Sequence, residues 1–174
     1  MNITPKDKIE SLASAAANGD RQAFCELYGL FKDRLYRYAL YKLRDPQMAE
    51  DAVSETVLAA WKDIVRLRSG AAFSVWIYRI LSNHCNSMLA AEIKKRESLE
   101  RVYRNAESSS ESEIRTIELQ QALDILSEEN RQIVLLSVIA GLSSKDIAEL
   151  TGLKDSTVRS RLSRSLAQMR EYLS

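Results

Sequence analysis

Apolar positions recur at three- and four-residue steps along most of this chain, the spacing of helices that bury one face. Phe24, Leu27, Tyr28, Phe31, Leu35 and Ala39 form one such stripe, and Asn18-Gly19-Asp20 ahead of it predicts a helix end followed by a new cap. The next start is sharper. Asp45 can accept from the first free amides, and Pro46 fits the first helical position, where a missing N–H costs nothing. The helix they open turns Ala49, Ala52, Val53, Thr56, Ala60 and Ile64 toward a core. At about 100° per residue, it leaves Asp51, Glu55, Leu58 and Lys62 on the opposite side. A leucine among charges on an outward face hints at a protein partner, against the competing reading of a solvated face with one stray leucine.

After Trp61 the pattern predicts a connection over 65–72 containing Arg66, Arg68 and Gly70. A third long helix then places Phe73, Ile77, Ile80, His84 and Met88 on its apolar side. Arg79, Ser82, Asn83 and Asn86 fall on the other side, with Lys94-Lys95-Arg96 beyond them. His84 has only Cys85 beside it and no further ligand pair, which predicts a hydrogen-bonded core or boundary histidine and no metal. Trp61 and Trp76 lie on or near core faces and are expected to pack rather than to stack on bases. Over 105–112 the pattern dissolves into Asn-Ala-Glu-Ser-Ser-Ser-Glu-Ser, a polar, acidic composition that predicts a mobile linker. The expectation is an all-α protein of two small helical domains, 8–98 and 115–174, joined by a flexible linker over 99–114.

The second domain carries the sharper motif. Ser143 and Asp146 have capping-box spacing ahead of Ile147, Ala148 and Leu150, and Thr151-Gly152-Leu153 interrupts that short helix. Asp155 or Ser156 can cap the next helix, whose apolar positions are Val158, Leu162, Leu166, Met169 and Leu173. Short helix, glycine turn and longer helix make a helix-turn-helix. Ala148 is small where the two helices meet, Gly152 can adopt positive φ, and Val158 plugs the angle between them. Thr157, Arg159, Ser160, Ser163 and Arg164 project away from the apolar stripe. In a DNA major groove arginine can pair with guanine edges or phosphate, and hydroxyls can reach either. A charged solvent face on an ordinary helical hairpin is the competing reading.

Composition narrows the classes. The chain has 174 residues, 45% of them hydrophobic and 28% charged, with only 5 Gly and 2 Pro, which disfavours a turn-rich β fold. No apolar run approaches the length of a membrane span. The first eight residues mix polar and charged side chains, so no secretory signal is expected. Cys25 and Cys85 are isolated, as in a reducing cytoplasm. The net charge of +1 hides an asymmetry. Lys154, Arg159, Arg161, Arg164 and Arg170 face only Asp155 over 154–170, while glutamates outnumber arginines over 97–118. That distribution suggests a local nucleic-acid surface rather than indiscriminate DNA binding.

Three strings in order then resemble one family, the extracytoplasmic-function (ECF) sigma factors of bacterial RNA polymerase. Ala49-Glu50-Asp51-Ala52-Val53 with Glu55-Thr56 and Trp61 resembles the core-polymerase-binding helix of region two. Phe73, Trp76-Ile77-Tyr78-Arg79-Ile80 and Asn83 resemble the motif that follows it. Ser156 through Arg164 resembles region four. The resemblance implies that Glu50, Asp51, Glu55 and Leu58 dock on the clamp helices of the large polymerase subunit, acids complementing a basic surface. It implies that the 65–72 loop captures an extruded base of the melted minus-ten non-template strand, Arg66 and Arg68 holding its backbone. Arg79, Asn83 and Asn86 would contact the upstream edge of that element. Thr157, Arg159, Ser160, Ser163 and Arg164 would read the minus-thirty-five duplex. Ser87, Ala90 and Ala91 stand where the family usually carries an acid and several arginines, so contacts there are expected to be fewer or displaced.

The implied partners are core RNA polymerase, promoter DNA both duplex and melted, and an anti-sigma factor. The implied location is the bacterial cytoplasm, without membrane insertion of its own, the anti-sigma factor able to hold the chain at the inner membrane face. No phosphate-cradling glycine loop, catalytic triad or paired-carboxylate pattern is present in the sequence, so neither enzyme activity nor a cofactor is expected. Two alternatives stay open: a helix-turn-helix regulator acting on operator DNA without polymerase, and a decoy that imitates a sigma factor to sequester an anti-sigma protein.

Overall fold

The structure, a computed structural model, describes residues 4–98 and 111–174. The chain divides into two compact units, Met1–Leu89 and Ala90–Ser174. Every regular element among the described residues is helical. The linker expected over 99–114 lies outside the described residues except at its end, where α5 already begins at Glu111.

The first unit is built on α1 (Pro5–Ala17), α2 (Arg21–Leu43), α3 (Pro46–Asp63) and the first part of α4 (Phe73–Ser98). Their starts are fixed by local chemistry. Thr4 and Asp7 form a reciprocal capping box, and the Thr4 hydrogen bonds hold the Asp7 carboxyl below the usual range. Asp20 accepts from Ala23 N at 3.0 Å, and Asp45 accepts from Met48 N at 2.9 Å with Pro46 in the first turn. The expected stripes of α2 and α3 pack together: Leu27, Phe31, Leu35 and Ala39 are buried, and so are Ala49, Ala52, Val53, Thr56, Ala60 and Ile64. Each large side chain so buried contributes roughly 1.5–3 kcal/mol. Two short 3-10 turns, Ile64–Arg66 and Gly70–Ala72, connect α3 to α4, and both rest on α1.

The expected apolar face of α4 is rotated by about one residue. Tyr78, Leu81, Ser82 and Cys85 are buried with Phe73 and Ile77, whereas Ile80, His84 and Met88 are only half-buried. Aromatic contacts with α2 explain the turn. The Phe31 and Phe73 rings meet edge-on at 5.2 Å, the Tyr38 and Tyr78 rings at 5.6 Å, and Tyr38 OH donates to Ser82 Oγ at 3.4 Å. A partnered serine and two tyrosines thus outrank an isoleucine for the interior.

In the second unit α5 (Glu111–Asp124), α6 (Glu128–Val134) and α7 (Ser144–Thr151) all pack on α8 (Asp155–Leu173). A wide π-helical turn, Leu135–Ile139, continues α6 and buries Leu135, Leu136 and Ile139. Arg131 ties α5 to α6, donating to the carbonyls of Leu123 at 3.1 Å and Leu126 at 3.3 Å and pairing with Glu128. The capping box of Ser143 and Asp146 is present, and Gly152 closes α7 at φ 75°, the left-handed conformation that favours glycine. Two expectations for α8 need correction. Its N-cap is Lys154, without a side-chain cap bond; Asp155 is already helical and pairs with Arg159 at 3.3 Å. Its core stripe runs Val158, Leu162, Ser165, Met169, while Leu166 is 36% and Leu173 51% exposed. Residue 165 lies seven beyond Val158, within about 20° of it on the helix; Leu166 falls on the flank.

Candidate nucleic-acid and partner interfaces

The α3 face opposite the core is open. Glu50, Asp51 and Glu55 are exposed, and Leu58 is 70% exposed among them. An apolar side chain left this far in water on a rigid helix, flanked by carboxylates, suits contact with a cationic protein surface. Glu55 also reaches across to α4, where His84 Nδ1 lies 3.3 Å from its Oε2. His84 is therefore the boundary histidine that the sequence predicts. Trp61 packs on Phe24 with ring centroids 5.0 Å apart and keeps 41% of its surface open, which extends the apolar part of this face toward the loop.

The loop and α4 present a second set. Arg66 is highly exposed, with Asp63 3.8 Å away, and Arg68 is exposed too. On α4, Arg79, Asn83 and Asn86 are exposed and follow one another at helical steps of four and three, forming one stripe. Ser82, expected beside them, faces the core instead. Lys94, two turns beyond Asn86, is exposed and lies on the same side of the helix.

The third set is carried by α8. Arg159, Ser160, Ser163 and Arg164 are exposed and Thr157 is half-buried, away from the Val158–Ser165–Met169 stripe. Arg164 lies along its own helix, Nε donating to Ser160 O at 3.3 Å and a terminal nitrogen to Ser160 Oγ at 3.3 Å. Arg159 is held only by its exposed pair with Asp155, a bond worth about 0.2–1 kcal/mol and easily exchanged for phosphate. Arg161 differs from its neighbours. It turns toward α6 and pairs with Glu129, on an open polar groove also lined by Ser127, Asn130, Arg164 and Gln168. The regular arginine spacing of the sequence does not separate Arg161, a clasp between helices, from Arg159 and Arg164.

Sequence reasoning missed three residues that hold these faces in place: Gly70, buried against α1, the Arg131 anchor, and the Glu129 partner of Arg161. Each has at least one partner 8 or more residues away, beyond the reach of helical periodicity. Among the described residues no group of three metal-ligating side chains comes together, and no helix is long and apolar enough to cross a membrane.

Two family models match the chain. Residues 27–94 match the family model "Sigma-70 region 2" and residues 116–169 match "Sigma-70, region 4". The ECF RNA polymerase sigma factor SigM of Mycobacterium tuberculosis is 33% identical over 169 residues, covering 97% of this chain and 85% of the relative. SigE of Mycolicibacterium smegmatis is 34% identical over 183 residues, covering 98% and 70%. Among solved structures, CnrH in complex with the cytosolic domain of CnrY superposes with a TM-score of 0.75 at 24% identity, over 96% of this chain and 97% of that one. RpoE of Bartonella quintana, in complex with the anti-sigma factor NepR, gives 0.71 at 24% identity over 86% and 96%. At that identity the structural likeness is one of fold.

Proposed function

Because the chain belongs to the ECF sigma factors of RNA polymerase, we propose that it binds the core enzyme through Glu50, Asp51, Glu55 and Leu58 and directs it to promoters. Sigma factors are DNA-binding initiation factors, and the synthesis is the polymerase's. The 65–72 loop with Arg66 and Arg68 takes the melted minus-ten strand, and the Arg79, Asn83, Asn86 stripe lies along its upstream edge. Capturing an unstacked base supplies binding energy where opening costs stacking. Thr157, Arg159, Ser160, Ser163 and Arg164 read the minus-thirty-five duplex from the major groove.

An anti-sigma factor controls the chain in this reading, by the analogy of CnrH with CnrY and RpoE with NepR. A membrane-borne anti-sigma factor would hold it at the inner face of the membrane. The observation that carries the proposal is the pairing in one chain of an exposed acidic face bearing Leu58 with a helix-turn-helix whose outward side is basic.

Run-off transcription with purified core polymerase tests it. The expected result is initiation at discrete sites that depends on the added chain. Tight operator binding by the chain alone, with no effect on initiation, would replace this reading by that of an operator-binding regulator. An anti-sigma complex with no promoter binding in the presence of core would leave the decoy.

A further inference from the structure

Gly70 is buried at the start of the second 3-10 turn, and its place there depends on having no side chain. A Cβ would fall 2.2 Å from the carbonyl oxygen of Glu10 and 2.6 Å from Ser14 Oγ, both on α1. A helix carbonyl cannot swing aside as a side-chain tip can, so the turn itself would have to lift. The reason is proximity alone, since the positive-φ glycines of the described residues are Gly19, Gly141 and Gly152. The neighbouring Ser69 fixes the same turn by accepting from Ala71 N at 3.2 Å. On the other side of the contact, α1 is anchored by buried Ala13 and Ala16 and packs on α2 and on both 3-10 turns.

We propose that α1, which precedes the residues matched by the region-two model, is the seat of the 65–72 loop, and that Gly70 is the positioning residue that lets the loop rest on it. Seated, the loop holds Arg66 and Arg68 outward from a fixed base instead of sampling many positions. The ordering cost is then met on folding rather than when DNA binds. The inference rests on the reading that this loop receives the melted minus-ten strand.

The test uses holoenzyme assembled from core polymerase and the full chain. It is titrated with a labelled single-stranded oligonucleotide carrying the minus-ten non-template sequence of a promoter mapped by run-off transcription. Gly70→Ala is expected to weaken oligonucleotide binding by about tenfold or more, the scale of losing one captured base, with affinity for core polymerase unchanged. Gly29→Ala is the control, since a Cβ at Gly29 meets nothing within 4 Å. Ser69→Ala removes the cap without adding an atom, and about a twofold to fivefold loss is expected.

Oligonucleotide binding by Gly70→Ala equal to wild type, while Arg66→Ala/Arg68→Ala weakens it, would overturn the seat and leave the loop's role standing. Unchanged binding in all of these variants would overturn the loop's role itself. An equal loss of core affinity in Gly70→Ala would reduce Gly70 to a general packing residue and also overturn the proposal. If Gly70→Ala does not fold, Ser69→Ala decides by the same ratio of oligonucleotide to core affinity.

Discussion

The two units solve the problem of presenting a nucleic-acid surface in different ways. The C-terminal unit puts its candidate contacts on one face of α8 and fixes that helix from three sides, through α5, α6 and α7. Local caps at Ser127, Ser143 and Gly152 set where its helices begin and end. The N-terminal unit spreads its candidate contacts over a loop of 3-10 turns and α4, and ties them together through an aromatic core and a glycine contact. A single helix suits the reading of a regular duplex, whose groove repeats. A composite surface suits a strand whose bases have left the stack, since each must be met separately.

The largest effect expected separates the units energetically. Phe31→Ala removes a fully buried ring that meets Phe73 and should cost the N-terminal unit about 3–5 kcal/mol. Leu136→Ala should cost the C-terminal unit a comparable 2–5 kcal/mol, roughly. Both tryptophans, Trp61 and Trp76, belong to the N-terminal unit, so their fluorescence follows that unit alone. In urea titrations Phe31→Ala should lower the tryptophan midpoint and Leu136→Ala should leave it in place. A midpoint lowered equally by both would mean that the units unfold together, and the contrast between them would fail.

Next in size is the reading of duplex DNA. Arg164→Ala should weaken holoenzyme binding to the upstream promoter duplex by about 1–3 kcal/mol if it meets a base edge, and should relax sequence preference at one position. Arg161→Ala removes a clasp to Glu129 instead, so it should weaken binding by less and without changing preference. Anisotropy titrations against promoter duplexes mutated one base pair at a time distinguish the two. If Arg161→Ala shifted the preference as Arg164→Ala does, the partition of α8 into a reading face and a clasped face would be wrong.

The same contrast governs what the sequence could disclose. In the C-terminal unit the capping box, the glycine turn and Val158 are coded within one short stretch, 143–158, and all three stand where the spacing puts them. Its errors are small: the cap of α8 falls on Lys154, and Ser165 takes the buried place expected of Leu166 because it completes the helical repeat from Val158. In the N-terminal unit the helix starts are as legible, at Asp20 and at Asp45 with Pro46. The inward face of α4 is not, because Tyr78 and Ser82 are drawn in by Tyr38, some 44 residues before Ser82. Gly70 reads in the sequence as a loop glycine; only the approach of α1 gives it a reason. Exposure of the candidate contacts on α3 and α8 follows from periodicity, whereas what holds each contact in place does not.

A smaller effect tests the local code directly. Ser143→Ala leaves the Asp146 amide without its cap and should lower the stability of the C-terminal unit by about 1 kcal/mol. Tryptophan fluorescence should not register the change, while far-ultraviolet circular dichroism should. A shift in the tryptophan midpoint would again join what the two cores separate.

The smallest effect is chemical, and it supplies a second reporter of the N-terminal unit. Cys25 is exposed; Cys85 is buried, and burial pushes its thiol up from 9.0 to about 11, against the opposing charge of Lys42. At pH 8 a thiol reagent should modify Cys25 at once and Cys85 only when the N-terminal unit opens. Phe31→Ala should therefore speed the second reaction and Leu136→Ala should not. The raised value also fixes a sign. An unfolded chain releases the Cys85 proton near pH 9 while the folded one holds it, so the contribution of the thiol to stability is intact below pH 9 and declines as pH rises toward 11. Comparing Cys85→Ala with wild type at pH 8.5 and pH 11 isolates this contribution from other titrating groups. The stability advantage of wild type should shrink at the higher pH, and an advantage that instead grew would mean that Cys85 is ionised in the folded core and that Lys42 outweighs burial.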